Sequence, residues 1–294
     1  MKRKLFYKVA GLTFGFALGE GIEVKEQLTP YEPFMTDATE ELLFFMPVVA
    51  SSDQQADDWE VVFQSQVEGV ATEIYTDDNS SYHYVIRLES EPDMWGCVDF
   101  TSDFKNTACR IHGNESFQFF ALNSALMLLY ALCGVSKETL LFHASVIKHG
   151  GKGYLFLGKS GIGKSTHSRL WLKYIEGCEL LNDDNPVVRL VNGKPWVYGT
   201  PWSGKTPCYK NEGVPVSGLV RLWQAPVNEI ERLPVLQAYA VLLSSVSNMR
   251  WEKECADDVH AILSKMILEV PVFLLRNRLE QDAALLSFTA LKAN

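Results

Sequence analysis

Eight consecutive residues, Gly158-Lys159-Ser160-Gly161-Ile162-Gly163-Lys164-Ser165, fit the pattern G-x-x-x-x-G-K-S/T. Such a loop turns backbone N–H groups inward to meet phosphate oxygens, and glycines permit the approach because no Cβ stands in the way. Gly158, Ser160, Gly161, Ile162, Gly163, Lys164, Ser165 and Thr166 are therefore the candidate nucleotide-binding residues. Lys164 would reach the β- and γ-phosphates and Ser165 would hold Mg²⁺, so ATP and Mg²⁺ are the expected cofactors. Downstream, the apolar run 178–181 leads into Asn182-Asp183-Asp184-Asn185. Two adjacent carboxylates at the carboxyl end of a strand point to opposite sides, so one can meet metal and the other a reacting hydroxyl.

These residues need elements that hold them together. Residues 154–157 predict a short strand entering the loop, and 166–176 read as a helix leaving it with its positive end toward the phosphates. Residues 140–147 read as a strand that forms a hairpin with 154–157 across the glycine-rich turn 149–153, which sets His143 beside the strand delivering the loop. A second match to the loop pattern, Gly199-Thr200-Pro201-Trp202-Ser203-Gly204-Lys205-Thr206, has Pro201 inside it and no helical period after it. We read it as a loop with another job. Ser203, Gly204, Lys205 and Thr206 are candidate substrate contacts, with Lys205 either closing over the transferred phosphate or simply solvated.

Further along, 186–190 and 196–198 form a hairpin around Asn192-Gly193, and 214–224 is a strand. Helical periods follow at 233–246 and 251–268, then a strand at 272–275 and a last helix from about 280. The first 112 residues read as β-rich, with strands at 59–63, 70–75 and 82–88 separated by acidic solvated turns such as 77–80. Leu12, Phe14, Phe16 and Leu18 alternate with smaller residues in a strand period, which favours a strand over a signal peptide despite Met1-Lys2-Arg3-Lys4. Residues 116–132 form a helix, apolar on most faces, expected to lie buried between two halves. The run is interrupted by Asn123 and Ser124, so no uninterrupted membrane-length apolar stretch is expected.

At 294 residues and 47% hydrophobic content the chain can bury one large core or two ordinary ones. Net charge is −9, but residues 1–115 carry 8 Lys/Arg against 21 Asp/Glu while the remainder carries 19 against 15. The acidic part does not suit nucleic acid, and the mildly basic remainder suits a phosphate ligand. Six cysteines without a C-x-x-C pair argue for reduced thiols and a cytoplasmic protein. His83, His112, His149, His167 and His260 have no partner signal, and Arg276 and Arg278 read as a solvated turn.

Phe142-His143-Ala144-Ser145, the glycine loop with its helix, and Leu181-Asn182-Asp183-Asp184-Asn185 together resemble the catalytic domain of HPr serine kinase/phosphorylase. More distantly they are similar to the nucleotide domain of ATP-dependent phosphoenolpyruvate carboxykinase. The resemblance covers 140–190, with weaker pattern similarity as far as 286. It implies that Asp184 is the base for the acceptor hydroxyl, that Asp183 helps hold metal, and that His143 contacts the carboxylate; the two aspartates exchange roles equally well. Thr166 stands where the family's HPr enzymes place an acidic residue, and their later glycine-rich signature has no counterpart. The chain therefore looks more like the HPr-kinase-related proteins of unassigned substrate.

The expected fold is α/β, a P-loop kinase core with a mixed sheet of the HPr kinase/phosphoenolpyruvate carboxykinase type. It spans 116–294 and follows a smaller β-rich scaffold or recognition domain at 1–115. The expected function is ATP-dependent transfer of a γ-phosphate to a hydroxyl, foremost serine, of a protein, peptide or small molecule, with Asp184, His143 and Lys164 as catalytic residues and Ser165 and Asp183 as metal ligands. A carboxykinase-like enzyme and an ATP-binding regulator without transfer are the alternatives. Expected partners are a nucleoside triphosphate and a hydroxyl acceptor, with a second copy of the chain possible and neither nucleic acid nor membrane involved.

Overall fold

A computed structural model describes residues 3–24, 26–52, 59–77, 80–204, 206–247, 249 and 251–293. The fold is mixed α/β with two mixed sheets, and the chain divides into two compact units, Met1–Cys133 and Gly134–Asn294.

In the N-terminal unit, β1 (Arg3–Val9) and β2 (Leu12–Leu18) form a hairpin. Ala10 and Gly11 both take positive φ at its turn, as a tight hairpin demands. A 3₁₀ segment (Glu26–Phe34) leads to β3 (Phe45–Ala50), β4 (Glu60–Val67), β5 (Val70–Thr76), β6 (Ser81–Leu88), β7 (Glu91–Thr101) and β8 (Thr107–His112). The order across the sheet is β1-β2-β3-β8-β7-β6-β5-β4, parallel only at β2/β3 and β3/β8. The alternation read at Leu12 to Leu18 is thus a strand. Of the acidic turn 77–80, Asp78 and Asn79 lie outside the described residues.

The apolar helix α1 (Glu115–Gly134) departs from expectation in the unit it joins. It belongs to the N-terminal unit, so the division falls after Cys133 rather than at 115. Its side chains explain why: Tyr130 Oη donates to Val9 O at 2.9 Å, Tyr31 Oη donates to Asn123 at 2.8 Å, and Gln118 Nε2 donates to Gly21 O at 3.0 Å. On β7, a Cβ at Gly96 would come within 2.6 Å of the Ala121 Cβ, so glycine is what lets helix and sheet meet. By length and mean hydropathy Glu115–Lys137 is long and apolar enough to cross a membrane, although Asn123 and Ser124 interrupt it; 67% of its most apolar 18 residues are buried inside the protein, as in a core helix.

The C-terminal unit contains β9 (Thr139–Leu141), β10 (Ala144–His149), β11 (Lys152–Leu157), α2 (Lys164–Tyr174), β12 (Cys178–Asp184), β13 (Val187–Val191) and β14 (Lys194–Tyr198). There follow β15 (Gly213–Gln224), β16 (Glu229–Arg232), α3 (Val235–Leu243), α4 (Lys253–Glu269), β17 (Val272–Asn277) and α5 (Gln281–Lys292). The order is β12-β10-β11-β15-β14-β13-β9, and the far half of β15 also pairs with β17, which pairs with β16. β11, β15 and β17 run parallel. Their pleat sends Tyr154 and Phe156 toward α2 and α5, and Leu155 and Leu157 toward α3 and α4, giving apolar layers on both faces.

The expected single strand 140–147 is broken. At Phe142 and His143 the chain leaves β9, paired with β13, and enters β10, paired with β11 and β12. Phe142 N instead donates to Pro186 O at 3.0 Å and His143 N to Ser245 O at 2.8 Å. All six cysteines are free, as their spacing suggested.

His167 on α2 is fully buried. Ser287 Oγ donates to Ala284 O at 3.0 Å and accepts from Trp171 Nε1 at 2.9 Å, so His167 Nε2, at 3.0 Å, is the protonated ring nitrogen. Burial pushes its pKa down to about 3 from an ordinary 6.5. Between those values the unfolded chain binds a proton that the folded chain does not, so acidification through that window weakens the fold by about 1.4 kcal/mol per pH unit from this group. Thermal melts across the window are expected to show a melting temperature that falls with pH, with a shallower fall in His167→Gln.

Candidate active site

The glycine loop follows β11 directly, and α2 begins at Lys164, two residues earlier than the sequence period suggested. Gly161 and Gly163 have φ of 76° and 109°, a region other residues enter only with strain. Gly163 carries a second constraint, because a Cβ there would lie 2.8 Å from the Leu279 side chain. Ile162 N donates to Lys159 O at 3.2 Å, and Gln224 Nε2 donates to Ile162 O at 3.2 Å, pinning the loop to the end of β15. Ser160 and Gly161 are exposed, whereas Ser165 and Thr166 are half-buried in the first turn of α2. Gly163 supplies no side chain to cap that turn.

Strand register brings the carboxylates opposite this loop. Ala144 on β10 pairs with Leu157, the last residue of β11, and on its other side with Asp184, the last residue of β12. Ser145 pairs with Asp183. The pleat therefore turns Asp183 to the same side as Ser145, whose Oγ lies 2.6 Å from Ser168 Oγ on α2, and turns Asp184 to the other. Ser168 follows Ser165 by three residues, on the same face of α2. Asp183 is 3% exposed and its Oδ1 meets no hydrogen-bond partner among the described residues.

His143, at the break between β9 and β10, joins the two halves. Its Nε2 is 2.8 Å from Lys164 Nζ and 3.1 Å from Asp184 Oδ1. Lys164, which is buried, also donates to Gly158 O at 3.1 Å. One imidazole nitrogen cannot both accept from an ammonium and donate to a carboxylate, so its proton decides which neighbour it holds. Asp184 has a φ of 153°, and its Oδ2 accepts from Asn185 Nδ2 at 3.0 Å.

The second glycine-containing loop, after β14, has no helix behind it. It lies against the aspartates: Gly204 N donates to Asp183 O at 2.6 Å, and Ser203 bridges to Asp184. A Cβ at Gly204 would sit 2.8 Å from Asp183 O. Ser203 Oγ donates to Thr206 O at 2.7 Å, turning back into its own loop, and Lys205 lies outside the described residues. Thr200 and Asn182 were not anticipated. Fully buried Thr200 accepts at Oγ1 from Asn182 Nδ2 at 3.0 Å and from Trp202 N at 3.2 Å, and donates to Asn185 O at 2.7 Å. The hydroxyl-to-N–H contact two residues on is a known turn device and was the one signal available in the sequence.

A hard, oxygen-rich donor pair suits Mg²⁺. Ser165 and Asp183 each offer such an oxygen, and Asp183 Oδ1, buried without a partner among the described residues, is an atom a cation would satisfy. Arg276 pairs with Glu231 at 2.8 Å and Arg278 with Glu280 at 3.0 Å, a surface arrangement.

No protein-family model matches the chain, and no curated protein matches it. A solved structure, the HPr(Ser) kinase/phosphatase from Coxiella burnetii, is similar at 16% identity with a TM-score of 0.31, covering 52% of this chain and 94% of that one. At that similarity nothing about residue roles passes from one chain to the other.

Thr200→Val keeps the shape of the side chain but deletes the hydroxyl that three groups share. Leaving buried partners unsatisfied is expected to cost about 1–3 kcal/mol. Urea unfolding should show the lower midpoint with an unchanged slope.

Proposed function

We propose that this protein is an ATP-dependent phosphotransferase that moves a γ-phosphate onto a hydroxyl. The observation that carries the reading is the chain Lys164, His143, Asp184: the lysine of a glycine loop and a strand-end carboxylate touch the same imidazole nitrogen. Phosphoryl transfer asks a protein mainly for positioning and for offsetting charge. The loop amides and Lys164 would meet the phosphate oxygens, drawing the ammonium away from His143. Mg²⁺, held by Ser165 and Asp183, would offset charge on those oxygens.

Asp184 would accept the proton of the acceptor hydroxyl as its oxygen bonds to the γ-phosphorus and the bond to the β-phosphate oxygen breaks, leaving ADP. Once Lys164 releases Nε2, His143 would move its ring proton from Nδ1 to Nε2, donate it to the Asp184 carboxylate and hold that group in line. Ser203 and Gly204 would form the acceptor side, since they already touch the aspartate backbone.

Transfer of label from γ-labelled ATP to serine, serine-containing peptides and small alcohols tests this. Wild type should transfer to at least one class, and Asp184→Asn should lower kcat by about 10²–10⁴ while leaving nucleotide binding nearly unchanged. Lys164→Ala should lose nucleotide binding as well. Turnover dependent on oxaloacetate alone, or tight binding without turnover in the presence of every acceptor class, would refute the reading.

A further inference from the structure

The polar face of the N-terminal sheet, opposite the one α1 covers, holds a cavity of about 760 Å³. Its size lies within the usual range for small-molecule sites. Phe45, Pro47 and Trp59 give it apolar walls, and Ser81, His83, Asp99 and Arg110 give it polar ones. His83, Asp99 and Arg110 are brought together by register, since His83 pairs with Asp99 across β6/β7 and Cys97, two residues before Asp99, pairs with Arg110 across β7/β8.

His83 is 1% exposed. Its Nδ1 lies 2.7 Å from Asp99 Oδ1, and Asp99 Oδ2 lies 3.1 Å from Arg110 Nη2. The Asp99 carboxylate, paired with the guanidinium through one oxygen, accepts a hydrogen bond from Nδ1–H of the neutral imidazole through the other. Nε2 is then a bare acceptor, and it is buried with no partner among the described residues. An acceptor left that way costs about 1–3 kcal/mol, which a donor from a ligand would recover.

We propose that this cavity is a binding site for a flat, uncharged molecule carrying one hydroxyl or N–H donor, in the manner of a phenol or an indole, whose ring shifts the Trp59 indole now lying edge-on to His83 and so uncovers Nε2 for the donor. Asp99 and Arg110 neutralise one another, and Lys105, which also lines the cavity, is paired with Asp103 at 3.0 Å, so a charged ligand would have to compete with an existing ion pair. A divalent cation fits less well, although His83, Cys97 and Asp99 are close enough together to share one. Arg110 Nε donates to Cys97 Sγ at 3.4 Å, burial pushes the Cys97 thiol up, and a cation would face the guanidinium. This site lies within the N-terminal unit and stands whether or not the phosphotransferase reading does.

Saturation-transfer NMR and titration calorimetry on the full chain, with phenol and indole as probes and anisole and N-methylindole as their donor-free counterparts, test the assignment. Phenol or indole should bind about tenfold more tightly than its methylated counterpart, the equivalent of one hydrogen bond. His83→Phe, checked for folding by circular dichroism, should erase that difference. Nitrogen chemical shifts of His83 in the unmutated protein give a readout independent of the variant: Nδ1 should carry the proton and Nε2 should shift when probe binds. Equal binding of methylated and unmethylated probes, no binding of either, or stoichiometric Zn²⁺ uptake that moves Nε2 would each overturn it.

Discussion

Strand register is the constraint on which the loop end of the C-terminal sheet depends. Because Ala144 is flanked by Leu157 on one side and Asp184 on the other, the strand that feeds the glycine loop and the strand that ends in two aspartates stop level, one strand apart. Slipping the first by one residue would turn buried Leu155 to the wrong face, and slipping the second would do the same to Leu181. The same apolar side chains that hold the sheet between its helix layers therefore also fix the spacing between ammonium and carboxylate.

Within that frame, one nitrogen mediates between charges of opposite sign. His143 Nε2 can serve the ammonium of Lys164 or the carboxylate of Asp184, not both at once. A ligand that competes for the lysine thus alters what the aspartate feels without touching it. Chemistry at one end of the cluster and binding at the other are linked by a proton's position and need no large movement.

The glycine spacing and the Asp183-Asp184 pair were legible because each has a local physical requirement, backbone approach to an anion and alternation along a strand. His143 was legible in place but not in conformation. Residues 140–147 are apolar enough to read as one strand, and the break comes from distant groups, the carbonyls of Pro186 and Ser245. The helix α1 was legible as buried, but a segment apolar on most faces does not say which neighbour buries it; that depended on Tyr130, Asn123 and Gln118 finding partners near the amino terminus. His83 gave no signal at all, since its partners Asp99 and Arg110 are a strand and two strands away and only sheet register joins them.

The packing of Leu279 on Gly163 ties the glycine loop to the turn between β17 and α5. The middle strand β15 lies between β11 and β17, so the parallel core also closes late in the chain. During synthesis the ribosome will have made the loop, both aspartates and the histidine well before the segment that braces them. A nascent chain halted anywhere short of residue 279 would display the whole signature yet lack the brace that shapes it, so competence would arrive only once that later segment has been made.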